Sequence, residues 1–166
     1  MTMPDTPAAS ENTSTPSSGT IRVRVRYAEC DPMGVAHHAS YAPWLEMGRT
    51  ELLREGGRSY ASLEAEGVFL VVTRLEIKYR RPIRYDDVLE IRTSVAEGNG
   101  RGGGRGGRVK VRHAYEIVLV ERSGATPDPA DPSGPANGVV SVGETELACV
   151  GRDGRVRELP EWLISR

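Results

Sequence analysis

One long segment of the sequence repeats its apolar residues with a helical period, and the other patterned segments repeat with the two-residue period of a strand. The helical segment begins near His37-His38, and its apolar stripe follows i, i+3, i+4, i+7 and i+11 spacing: Tyr41, Trp44, Leu45, Gly48 and Leu52. A single helix buries such a stripe only if the strands form one sheet that curls around it. The pattern therefore predicts an α+β fold, with one central helix against a curved antiparallel sheet.

Five segments alternate apolar and polar residues as half-buried strands do. They are residues 21–28, in which Ile21, Val23, Val25 and Tyr27 share one face, and residues 71–79, 88–95, 109–120 and 139–150. Because no helical period separates the last four, we expect an antiparallel meander. Pro82 and Asp86-Asp87 predict a turn between the second and third segments.

Local signals predict where the helices begin and end. Ser40 is a candidate N-cap, which would place Pro43 in the first turn, where proline is tolerated. Gly56-Gly57 predicts the end of the helix, and a second short helix is expected from Ser59 to Glu66. Gly48 costs about 1 kcal/mol relative to alanine inside a helix, so its position predicts that another backbone packs closely there.

The 166-residue chain has the length of a single domain. Residues 1–20 are rich in Pro, Ser and Thr and predict a disordered tail before a domain of residues 21–166. Two segments, 98–107 (GNGRGGGRGG) and 123–138, interrupt the strands as loop inserts. The first resembles a phosphate-binding loop only in its glycines, because a strand and not a helix follows it, and a solvent loop is the favoured interpretation.

Charge and cysteine content exclude several classes of protein. The formal net charge is −1, so no overall positive field would attract nucleic acid or an anionic membrane surface. No apolar window approaches transmembrane length, and the N-terminus lacks the pattern of a secretory signal, so we expect no membrane insertion. Cys30 and Cys149 are far apart and have no metal-binding spacing, which predicts a reduced, cytoplasmic setting.

Asp31 lies in an Asp-Pro-Met-Gly turn between the first strand and the long helix. Such a turn can bring a carboxylate close to the helix N-terminus, where unpaired N–H groups carry partial positive charge. A carboxylate beside such donors could attack an acyl carbonyl or remove a proton from water while the N–H groups stabilise the oxyanion. The alternative is that Asp31 only shapes the turn.

The adjacent His37 and His38 allow three interpretations. They could bind a metal with Asp31, but neighbouring histidines diverge and no known ligand spacing is present, so no metal is predicted. One of them could act as the base for a Cys30 nucleophile. The third interpretation, that His38 presents its N–H at the helix entrance, fits a first-turn position best.

The run from Val25 to Glu55 resembles the N-terminal signature of hotdog-fold acyl-CoA thioesterases. It is most similar to the 4-hydroxybenzoyl-CoA thioesterase family and its Tol–Pal-associated branch. The matching elements are Tyr27, Asp31, Gly34-Val35, His37-His38, Tyr41, Glu46 and Arg49-Thr50-Glu51, and residues 79–93 resemble a second block of the family. Cys30 differs from the threonine of many relatives, and both inserts are longer than the family's turns.

The resemblance implies a hotdog fold, thioester hydrolysis and a homodimer or homotetramer with active sites at the subunit interface. It gives Asp31 the role of nucleophile or general base, His38 that of N–H donor to the thioester carbonyl, and Tyr27 that of an aromatic lining residue. His37 and Tyr41 are further substrate-binding candidates, and no cofactor is expected because coenzyme A is part of the substrate. Candidates for its phosphates are Arg80, Arg81, Arg101, Arg105 and Arg108.

Two other functions stay open on the sequence. A hotdog dehydratase would act on hydroxyacyl thioesters, although its histidine-led motif matches this chain poorly. A non-catalytic hotdog module could bind acyl-CoA or a protein without turnover, since a fold does not determine a function. The acyl group, whether aromatic, short aliphatic or long aliphatic, is left open by the sequence.

Overall fold

The computed structural model describes residues 16–96, 108–122 and 138–164. Within these ranges one five-stranded sheet wraps around one long helix, which confirms the predicted α+β class. The elements in chain order are β1 (Ser18–Arg24), a 3-10 helix (Tyr27–Glu29), α1 (His38–Glu55), α2 (Tyr60–Ala65), β2 (Phe69–Tyr79), β3 (Val88–Val95), β4 (Lys110–Glu121), β5 (Val139–Val150) and α3 (Glu161–Ile164). Except for Gly138, the two predicted inserts lie outside the described residues.

The strands begin close to their predicted positions. The bounds of β3 and β5 match the prediction, whereas β1 begins at Ser18, three residues before Ile21. Residues 18–20 belong to the strand because they continue its pairing, with Ser18 opposite Ser94. At its other end β1 stops at Arg24, so Tyr27 is not the inward strand residue that its alternation predicted. Tyr27 instead begins the 3-10 helix and is exposed.

The sheet has the strand order β1-β3-β4-β5-β2, and all neighbouring strands are antiparallel. The predicted meander is therefore correct only for β3, β4 and β5. Because β2 pairs with β5 and β3 lies between β1 and β4, residues 80–87 cross the sheet from its β2 edge to β3. The turn predicted at Asp86-Asp87 lies within this crossing, where the Asp87 N–H donates to the Arg84 carbonyl at 3.3 Å. The buried Asp87 fixes this crossing, since its carboxylate accepts two hydrogen bonds from Arg122, at 2.9 and 2.7 Å, and one from the Arg84 N–H at 2.7 Å.

Helix α1 begins at His38, and its N-cap is His37. The His37 Nδ1 accepts the Ala39 N–H at 3.2 Å, so the prediction that Ser40 caps the helix was wrong. Pro43 is consequently the sixth helical residue and lies beyond the first turn. It leaves the Ala39 carbonyl without its usual donor.

The core consists of two apolar clusters, one on each side of the midpoint of α1. Between them, Gly48 lies against the side chains of Thr93 and Ile91, and a Cβ at this position would overlap the Thr93 hydroxyl. The predicted close approach is therefore made by side chains and not by another backbone. Among the described helices, none is both long and apolar enough to span a membrane.

His113 is a buried polar residue on the inner face of β4. Its Nδ1 has no hydrogen-bond partner among the described residues. Burial, and to a smaller extent the positive charge of Arg49, lowers the pKa of His113 to about 4. Arg49 is itself buried and donates to the Tyr60 hydroxyl. His113 is therefore neutral in the folded protein at neutral pH.

We expect His113 to make the folded protein less stable as the pH falls from about 6.5 to about 4. In that interval the unfolded chain binds a proton at His113 and the folded chain does not, so protonation favours unfolding. A difference of about 2.5 pKa units corresponds to about 3 kcal/mol of unfolding free energy. Urea unfolding at pH 7 and at pH 4 measures this effect. The free energy of unfolding should fall less between pH 7 and pH 4 for His113→Leu than for the wild type. Equal losses in the two proteins would contradict this assignment.

Candidate active site

The Asp31 loop is a tight turn that leaves one carboxylate oxygen free. Asp31 Oδ1 accepts the Met33 N–H at 2.9 Å, and the Asp31 N–H donates to the Val35 carbonyl at 2.9 Å. Gly34 has a φ of 77°, which glycine adopts without strain. Asp31 Oδ2 accepts no hydrogen bond from the described part of the chain and is available for chemistry.

The N-terminus of α1 also leaves one group unused. The His37 N–H donates to the Glu29 carbonyl at 2.8 Å, and the Ser40 N–H donates to the His37 carbonyl at 2.9 Å. The Ala39 N–H is taken by the His37 side chain. Within the residues that the structure describes, the N–H of His38 alone in this turn has no partner. It is the group that the sequence predicted as a donor to an acyl carbonyl.

Asp31 and His38 line the same cavity of about 390 Å³ at the β2 edge of the sheet. Its walls are mainly apolar, and two arginines lie at its rim. The other lining residues are Met33, Val35, Ala36, Tyr41, Tyr79, Arg80, Arg81, Pro82 and Ile83. In the described residues, no group of three or more His, Cys, Asp or Glu side chains is placed to hold a metal ion.

Tyr41 contributes a buried aromatic wall to this cavity. Its ring packs edge-on against Tyr79, with 4.8 Å between ring centroids. Burial, with a smaller contribution from Tyr79, raises the pKa of Tyr41 to about 12, so its hydroxyl stays protonated at neutral pH. That hydroxyl forms no hydrogen bond to any described residue, and it is free to donate one to a ligand.

Five of the predicted site residues do not line the cavity or lie outside the described residues. His37 is occupied as the N-cap, and Tyr27 is exposed with its ring against Tyr85. The Nε atom of Arg108 lies 3.9 Å from Oε2 of Glu158, in the C-terminal segment. Arg101 and Arg105 lie outside the described residues. The active-site role of Tyr27 and the substrate-binding roles of the other four residues stay predictions.

Glu29 is a buried charged residue that the sequence analysis did not single out. Its carboxylate accepts from Trp44 Nε1 at 3.0 Å and from Arg26, through the main-chain N–H at 2.7 Å and the guanidinium at 2.6 Å. Burial alone raises the pKa of Glu29, but the hydrogen bonds from Arg26 and Trp44 outweigh it and lower the pKa below its usual value. The sequence signal was a glutamate three residues after Arg26, the spacing at which an N3 carboxylate accepts the N-cap N–H.

Comparison with known proteins identifies the family. Residues 25–166 match the family model of the Thioesterase-like superfamily, which is most of the chain. The chain belongs to this superfamily. As a thioesterase-like protein it also resembles the acyl-CoA thioester hydrolase YbgC of Escherichia coli O6:H1, with 44% identity over 78 residues, 47% of this chain and 58% of that protein. The chain thus spans little more than half the length of the curated relatives it matches.

Solved structures of thioesterases share the fold over nearly the whole of the described chain. The DHNA-CoA thioesterase of Staphylococcus aureus is 28% identical, with a TM-score of 0.66 over 86% of this chain and 80% of that one. The 4-hydroxybenzoyl CoA thioesterase of Pseudomonas sp. strain CBS-3 is 19% identical, with a TM-score of 0.70 over 90% of this chain and 98% of that one. The thioesterase-like chain therefore has the hotdog fold, as the resemblance implied.

Proposed function

We propose that this chain hydrolyses the thioester bond of an acyl-CoA and releases the free acid and coenzyme A. One observation carries the proposal: Asp31 and His38 line the same cavity, and within the described residues each has one polar group without a partner, the Asp31 Oδ2 and the His38 N–H. Membership of the superfamily and the names of the similar proteins support it.

In the proposed reaction, the thioester carbonyl accepts a hydrogen bond from the His38 N–H, which stabilises the oxygen as it becomes negative. Asp31 then acts in one of two ways. It attacks the carbonyl carbon to form an acyl–aspartyl anhydride that water hydrolyses, or it removes a proton from a water molecule that attacks directly. In both cases the carbon–sulfur bond breaks. The sulfur leaves as the thiolate of coenzyme A, which then gains a proton. Neither route uses a metal or a cofactor.

Two arginines are suited to the phosphates of coenzyme A. Arg80 and Arg81 follow β2 directly, line the cavity and are exposed. Neither forms an ion pair with a carboxylate among the described residues, so both guanidinium groups are free for an anionic ligand. Arginine suits this task because its planar group makes paired hydrogen bonds to phosphate oxygens.

Release of free thiol from a panel of CoA thioesters, with aromatic and with aliphatic acyl groups of several lengths, tests the proposed reaction. Hydrolysis of any member would support the proposal and begin to define the acyl group. Binding seen by calorimetry without thiol release would favour a non-catalytic acyl-CoA module. Conversion of a hydroxyacyl-CoA without thiol release would favour a dehydratase.

We further propose that two chains pair along β2 to form a homodimer. The edge strand β2 leaves its inner face uncovered, and Val72, Leu75 and Tyr79 on this face are each 43–53% exposed. The residues that pair with them on β5 are buried, for example Leu147 opposite Val72. Isolated monomers seldom expose such a row of apolar residues. Because Tyr79 also lines the cavity, the active site would adjoin this interface.

Leu75→Arg is expected to convert the dimer to a monomer, because it places a charge in the centre of the apolar interface. The matched control is Met47→Arg, which changes a comparably exposed apolar residue in a groove beside Ile21 of β1, at the opposite edge of the sheet. Sedimentation velocity should show the monomer only for Leu75→Arg. An unchanged mass for this variant would contradict pairing along β2.

A further inference from the structure

We propose that Glu29 is the positioning residue that holds the Asp31 loop in register with the start of α1. This inference rests on the proposed thioesterase function, since the relative placement of Asp31 and the His38 N–H matters for that reaction. Glu29 lies two residues before Asp31, at the end of the 3-10 helix (Tyr27–Glu29). It makes contacts in two directions, one through its carboxylate and one through its main-chain carbonyl.

The carboxylate of Glu29 reaches the second turn of α1. Its Oε1 accepts from Trp44 Nε1 at 3.0 Å, and Trp44 is fully buried. The same group is tied to the chain before the loop by Arg26, whose main-chain N–H donates to Oε2 at 2.7 Å. Both hydrogen bonds are stronger than bonds between neutral groups, because the carboxylate is charged and shielded from water. The helix and the chain that enters the Asp31 loop are therefore joined through one buried side chain.

The main-chain carbonyl of Glu29 reaches the first turn of the same helix. It accepts the His37 N–H at 2.8 Å and the Ser40 hydroxyl at 2.9 Å. The first of these bonds uses the N–H that precedes His38 and fixes the orientation of the turn. The His38 N–H is free because the first N–H groups of a helix have no intrahelical acceptor, and His38 lines the same cavity as Asp31.

A positioning residue should act on the rate of the chemical step more than on substrate binding. A displacement of about 1 Å between reacting groups can reduce a rate by about 100-fold. Glu29 is absent from the cavity lining, so its substitution removes none of the side chains that would contact the substrate. We therefore expect Glu29→Ala to lower kcat by about 30- to 100-fold with KM changed by less than about threefold.

Conservative variants separate the individual contacts. Glu29→Gln keeps an oxygen that can accept from Trp44, so we expect it to retain more than about one fifth of the wild-type kcat. Trp44→Phe removes the indole N–H together with part of the buried ring, and Ser40→Ala removes only the hydroxyl donor. Each of these two is expected to lower kcat by about 3- to 10-fold. They also keep the proposal testable if Glu29→Ala does not fold.

The matched control is Tyr115→Phe, which removes the buried 2.8 Å hydrogen bond to Thr145 and changes a residue that does not line the cavity of Asp31 and His38. It should lower the Tm while leaving kcat unchanged at 25 °C. If Glu29→Ala and Trp44→Phe behaved like this control, with lower Tm and unchanged kcat, Glu29 would have only a structural role and the proposal would be overturned.

A readout that does not depend on turnover separates this proposal from the proposed function. In ¹H–¹⁵N spectra of the full chain, we expect the amide resonances of Asp31 and His38 to shift in Glu29→Ala and in Trp44→Phe, and to stay in place in Tyr115→Phe. Unchanged Asp31 and His38 resonances in both site variants would overturn the positioning role. If the wild type released no thiol but the two variants showed these shifts, only the thioesterase function would be contradicted.

Discussion

Asp31→Asn is expected to lower kcat for hydrolysis of a CoA thioester by about 10²- to 10⁴-fold while the fold stays intact. The asparagine can keep the turn, because its side-chain oxygen can accept the Met33 N–H as Asp31 Oδ1 does at 2.9 Å. It is neutral, however, and can neither attack the carbonyl carbon nor remove a proton from water. The expected change is therefore in the chemical step, with KM close to that of the wild type.

Asp153→Asn is the matched control for this variant. Asp153 Oδ1 accepts the Arg155 N–H at 3.1 Å, as Asp31 Oδ1 accepts the N–H two residues after it. Asp153→Asn therefore removes one charge from a turn of the same type, at an exposed residue outside the cavity. Thiol release and thermal unfolding should be measured for both variants. Full activity of Asp31→Asn would show that Asp31 is only a turn residue, whereas an equal loss in Asp153→Asn would show a general effect of charge.

The features that the sequence predicted well are those set by local patterns. The alternation of β3 and β5 specified their bounds, because the inward residues of a strand recur every two positions. The Asp31 turn follows from nearby residues as well, and the helical segment was expected to begin near His37-His38, although its N-cap was wrongly assigned to Ser40. These local signals were sufficient to bring Asp31 and His38 into one candidate site.

What the sequence could not predict depends on contacts between distant residues. The pairing of β2 with β5 joins segments about seventy residues apart, and alternation within a strand carries no information about its neighbour. Glu29 was missed because its importance comes from Trp44, fifteen residues later. His37 is an unusual N-cap, since it caps the helix only as the neutral tautomer with a free Nδ1. The alternation that included Tyr27 ran past the end of β1 because a 3-10 helix has no apolar period to mark its start.

His38→Pro is the second variant with a large expected effect, since it removes the proposed oxyanion donor without changing the shape of the helix. His38 is the first residue of α1, a position where proline is favoured because its N–H has no partner in the helix. The preceding residue His37 already has φ −62° and ψ 140°, the extended conformation that a following proline requires. Loss of one such donor costs about 2.7–4 kcal/mol of transition-state stabilisation, so kcat should fall by about 10²- to 10³-fold.

His38→Ala is the control, because it removes the imidazole and keeps the N–H. Its kcat should stay within about tenfold of the wild type, and the ratio of the two variants isolates the contribution of the N–H. Thermal unfolding should show that His38→Pro is as stable as His38→Ala. Equal activity of the two variants would place the oxyanion donor elsewhere. Because the N–H and Asp31 act in one step, combining His38→Pro with Asp31→Asn should cost less than the product of the two separate losses.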